Sequence, residues 1–72
     1  MQNNAIHERA VNKAFSKIAM LLIEKDHLQQ DIETHNTGAI TIDELKLMYE
    51  GTKIELKVWN YIAEAIEKLN KL

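Results

Sequence analysis

Two stretches of this chain repeat apolar side chains at intervals of three and four residues, and no stretch alternates them at every second position. In the first, Ala10, Val11, Ala14, Phe15, Ile18, Leu21 and Leu22 fall on one wide arc when residues are stepped by about 100°. Arg9, Asn12, Lys13 and Ser16 lie largely opposite, and Met20 and Ile23 fall off the arc. In the second, Leu56, Trp59, Ile62, Ala63, Ile66 and Leu69 follow the same rule. Such spacing builds helices that bury one side against each other. The expected class is all-α.

Local signals divide the chain further. The first helix is expected from about Asn4 to Lys25, and Leu28 with Ile32 offers a short second one ending near His35. "NTG" then breaks the pattern, because Gly38 accepts positive φ and Asn36 tolerates it better than most residues. Thr41 with Glu44 is a capping-box pair, so a third helix is expected from there to Glu50. Gly51 is expected to end it. Thr52 with Glu55 repeats the signature and opens a fourth helix through Leu69. The expectation is one four-helix domain over residues 1–72, long–short–short–long.

Composition narrows the chemistry. The 72 residues include no Cys, which removes disulfides and thiolate metal sites and suits a reducing cytoplasm. The longest apolar run, "IAMLLI" from Ile18 to Ile23, is too short to span a bilayer, so no membrane association is expected. From Glu33 to Glu44 the chain also fits the outline of an EF-hand loop, with Gly38 sixth and Ile40 eighth. The ligands are wrong for it. Glu33 comes first instead of Asp, His35 offers nitrogen at the third place, and Thr37 is neutral at the fifth. His7, His27 and His35 lack the i, i+4 spacing of a metal pair. No nucleophile–base set and no phosphate-binding Gly-rich loop can be assembled. The expectation is therefore no enzyme, no cofactor, no metal and no small-molecule substrate.

"LQQDIETHNTGAITIDELKLMYEG" followed by "VWNYIAEAIEKL" resembles the Cro/CI-type helix-turn-helix family of phage and bacterial repressors. The resemblance is carried by Leu28, Gln30, Thr37-Gly38, Leu45, Met48, Gly51 and the segment Ile62-Ala63-Glu64-Ala65-Ile66. It implies a lambda-repressor-like fold in which Leu28, Ile32, Ile40, Leu45 and Met48 turn inward. Ile42, Asp43, Lys46, Leu47 and Glu50 would then project from the third helix, where a DNA-binding member reads base edges.

That outward set suits DNA poorly. Groove readers carry Arg, Lys, Asn, Gln, Ser or Thr there, whereas this one holds two apolar residues, two acids and one Lys. The net charge is −2, and affinity for nucleic acid is largely a matter of cations meeting phosphates. Gln29, Gln30, Lys46 and Lys53 are the residues left for a residual DNA contact, weak or made only in a complex. Apolar residues rimmed by acids instead suit the basic surface of a repressor. A short acidic chain of this kind resembles the modulator-of-repression proteins of lactococcal temperate phages. The resemblance implies an anti-repressor that binds the N-terminal DNA-binding domain of a CI-type repressor and controls the lysis–lysogeny switch. The alternative is a Cro-like DNA-binding repressor. A plainer account has Ile42 and Leu47 covered by the chain's own N-terminus or by a second copy.

Overall fold

Nothing between Asn3 and Thr34 is able to stop a helix: the stretch holds no Gly and no Pro, and one row of residues, apolar but for Lys25, continues from Val11 to Ile32. The computed structural model describes residues 3–70, with side-chain burial from 5 to 69, so the ends of the expected 1–72 unit lie outside the described residues. Two helices account for almost all of it, α1 over Asn3–Thr34 and α2 over Ile42–Asn70. They fold back on each other as a hairpin measuring 51 × 15 × 15 Å.

The seam between them is a heptad. On α1, Val11, Ala14, Ile18, Leu21, Lys25, Leu28 and Ile32 are buried or half-buried, at alternating spacings of three and four. On α2, Ile42, Leu45, Tyr49, Thr52, Leu56, Trp59, Ala63 and Ile66 do the same. This is the pattern of an antiparallel two-stranded coiled coil. The Thr52 hydroxyl lies 3.0 Å from Glu24 Oε2 across the seam, which sets the register. In that register the heptads place Leu21 level with Leu56, Ala14 with Ala63, Ile18 with Trp59, Ile32 with Leu45, and Lys25 with Thr52. Leu21, Leu28, Leu45 and Leu56 are the large side chains taken fully into the seam, each contributing roughly 1.5–3 kcal/mol by burial.

One turn joins the helices, and its chemistry is local. α1 ends in a Schellman motif: Asn36 N–H donates to the Asp31 carbonyl at 2.9 Å and His35 N–H to Ile32 at 3.3 Å, with His35 at φ 57°. Gly38 takes the second left-handed position, φ 60°. α2 opens with the capping box expected of Thr41 and Glu44. The Thr41 N–H donates to Glu44 Oε1 at 3.0 Å, and the Glu44 N–H donates to Thr41 Oγ1 at 3.1 Å.

The all-α expectation holds, but the four-helix count and its lambda-repressor-like helix-turn-helix do not. The first and second expected helices are one, because Asp26 and His27 cost a helix only tenths of a kcal/mol while Leu21 and Leu28 continue a single seam. The third and fourth are also one. Gly51 costs about 1 kcal/mol in a helix interior, too little to outweigh a seam that runs unbroken from Tyr49 through Thr52 to Leu56. Thr52 is no cap either. Its Oγ1 lies 2.9 Å from the Met48 carbonyl one turn back. Burial shifts accordingly: Phe15, Leu22 and Met48, expected inward, are each about half exposed, because a two-helix seam is narrower than the pocket of a four-helix domain.

Candidate protein interface

The residues expected to project from a recognition helix occupy the first three turns of α2. Asp43, Lys46 and Glu50 are exposed, as is Leu47 at 72%. Ile42 is the correction: it is half-buried, because it opens the inner seam of α2. Gln29 and Gln30 are exposed on the last turns of α1. Lys53 is half-buried, 3.1 Å from Glu50 Oε2 and 5.0 Å from the centroid of the Tyr49 ring. Lys53 therefore already has an acid and an aromatic face as neighbours.

A larger feature includes Leu47 and extends far beyond it. On the side of α2 opposite the inner seam, Leu47, Gly51, Ile54, Val58, Tyr61 and Ala65 recur at four, three, four, three and four residues. This is a second heptad row, and among the described residues no helix lies against it. Ile54 is 62% exposed, Val58 49% and Tyr61 74%, values normally tolerated for scattered apolar residues but not for a continuous row. On one flank stand Asp43, Glu50, Lys57 and Glu64, three acids to one base; on the other stand Met48, Glu55, Ile62 and Leu69. The helix thus carries an apolar row on each of two opposite sides, the inner seam and the outer row.

Sequence reasoning missed Ile54, Val58 and Tyr61. The signal was present, since the spacing that starts at Leu47 continues through Gly51. Treating Gly51 as a helix end cut the row in two.

A smaller apolar surface lies on the middle of α1, where Met20 and Ile23, off the apolar arc and so candidates for extra buried surface or a partner contact, are exposed and not buried within the hairpin. Together with Glu24, His27 and Leu28 they line a shallow, open depression. Among the described residues, no three His, Cys, Asp or Glu side chains are grouped to hold a metal ion. In the stretch that outlines an EF-hand loop, Glu44 is engaged with Thr41. No helix of the described residues is long and apolar enough to cross a membrane. No family model matches the chain, and neither a curated protein nor a solved structure does.

Proposed function

We propose that this chain is a protein-interaction module whose working surface is the outer side of α2, and that its partner is the DNA-binding domain of a CI-type repressor. The observation that carries the first part is the row from Leu47 to Ala65, a seam-forming pattern whose large side chains Leu47, Ile54, Val58 and Tyr61 are exposed. The partner class comes from the resemblance noted in the sequence and from the rim. Asp43, Glu50 and Glu64 border the row and would pair with Arg or Lys that a repressor otherwise offers to phosphates.

An anti-repressor acting in this way needs no helix-turn-helix of its own. It needs only an apolar centre and an acidic edge, and it excludes DNA by occupying the surface that DNA would use. The Cro-like alternative asks for more, namely a short helix presenting cations and amides to a groove. Here Lys46 is accompanied by Asp43 and Glu50, and Lys53 is engaged with Glu50.

Calorimetric titration of a CI-type repressor's N-terminal domain tests the reading. Leu47→Asp and Ile54→Asp should each weaken binding at least ten-fold with helical content by circular dichroism unchanged, since both side chains lie outside the inner seam. Asp43→Lys should act mainly by slowing association and flattening the salt dependence. Binding of both apolar variants at wild-type strength, or a salt-sensitive gel shift of operator DNA by this chain alone, would defeat the proposal.

A further inference from the structure

The outer row of α2 has an occupant that the chain itself can supply. We infer that two copies of this protein pair through their α2 helices, antiparallel about a two-fold axis that passes between Ile54 and Val58. The inference rests on the outer row being a binding surface, and not on a repressor being its partner.

Area is the first argument. A compact monomer of this mass exposes about 4,600 Å², whereas this one exposes 5725 Å². Its radius of gyration is 16.1 Å, against about 11 Å for a compact chain of equal length. The excess, on the order of 1,100 Å², belongs to the elongated hairpin as a whole, and the exposed side chains of the outer row are part of it.

Gly51 is the second argument. It sits in the middle of a helix, at about 1 kcal/mol cost relative to Ala, and it makes no turn. Beyond the backbone of its own helix turn, a Cβ added there would meet none of the described residues within 4 Å. Nothing among the described residues of the hairpin therefore explains a glycine in the outer row, whereas a neighbour approaching at that point does.

Shape selects the second copy. With the axis between Ile54 and Val58, Tyr61 of each copy falls opposite Gly51 of the other, Leu47 opposite Ala65, and Ile54 opposite Val58. Each of the two largest protruding side chains thus meets one of the two smallest positions, and the branched pair fills the centre. Such alternation lets knobs enter holes along the whole row, about 27 Å from Leu47 to Ala65. Self-complementarity of this kind is what a two-fold interface requires. The same register brings like charges together on both flanks, the two Glu55 side chains and the two Lys57 side chains near the axis and Glu50 beside Glu64 of the second copy, which weakens the pair.

Sedimentation equilibrium of the purified chain, without any other protein, tests this across a hundred-fold range reaching high micromolar concentration. The wild type should pass from monomer to dimer. Gly51→Leu should weaken the dimer at least ten-fold by filling the space Tyr61 needs. At dilutions where both proteins are monomers, it should melt no lower than wild type, since it replaces glycine with a good helix former. Glu55→Gln should tighten the dimer several-fold. A wild type that stays monomeric throughout, a Gly51→Leu variant that pairs as well as wild type, or assembly beyond a dimer would each overturn the inference. Repressor titration run at monomer concentrations keeps the two proposals separate: loss of one result leaves the other measurable.

Discussion

At the scale of the residue, His35 carries the clearest strain in the structure. It is the C′ residue of α1 at φ 57°, a conformation that costs a side chain with a Cβ about 1–2 kcal/mol. Glycine removes that cost but adds roughly 0.5–1 kcal/mol of backbone entropy in the unfolded chain. His35→Gly should therefore stabilise the hairpin by about 0.5–1 kcal/mol, and His35→Val should destabilise it by a comparable or larger amount. Thermal melts of the two variants against wild type should move in opposite directions, and a His35→Gly protein that melts lower would refute this account of the turn. The sequence shows part of this directly. Gly38 and the Thr41–Glu44 box lie where their chemistry puts them, because each acts through neighbours within four residues. The left-handed position at His35 was legible only as a nearby break, since Asn36 is the more tolerant residue and the hydrogen bonds to Asp31 and Ile32 place it one step earlier.

At the scale of the element, the same capping letters have two fates. Thr41 has a turn before it and becomes a cap, whereas Thr52 has the seam on both sides and is carried into it. Local signals rank candidate helix ends, but a continuous buried row decides among them. That is why the helical class was readable from the sequence while the number of helices was not. It is also why Leu47 was found as an outward residue and Ile54 and Tyr61 were not. Thr52 then takes on a different role as the buried polar group of the inner seam, level with half-buried Lys25 and bonded to Glu24. One polar layer in an apolar seam favours a single register at some cost in stability. Lys25→Leu combined with Thr52→Leu should accordingly raise the melting temperature. It should also let the helices slide, seen as doubled or broadened amide resonances. A double variant that keeps one sharp set of resonances would show that the turn alone fixes the register.

At the scale of the whole molecule, the hairpin is a line of layers with no centre. A globular core protects its middle best, but here every layer has the same two neighbours and differs mainly in its distance from the turn. All the capping chemistry described lies at that turn, where the Schellman motif and the capping box hold Ile32 beside Leu45. Bringing those two together closes a short loop, and each layer beyond it closes at little further entropy. Folding thus has the character of a zip fastener with its slider parked at residues 35–41. Low sequence separation between early partners makes such a process fast, and opening should run the other way. Amide hydrogen exchange should therefore be slowest around Leu28 and Leu45 and grow faster layer by layer toward Val11 and Ile66. Uniform protection along both helices would instead mean that the hairpin opens all at once. In a fastener, the strength of the far teeth depends on whatever grips the outside of the tape.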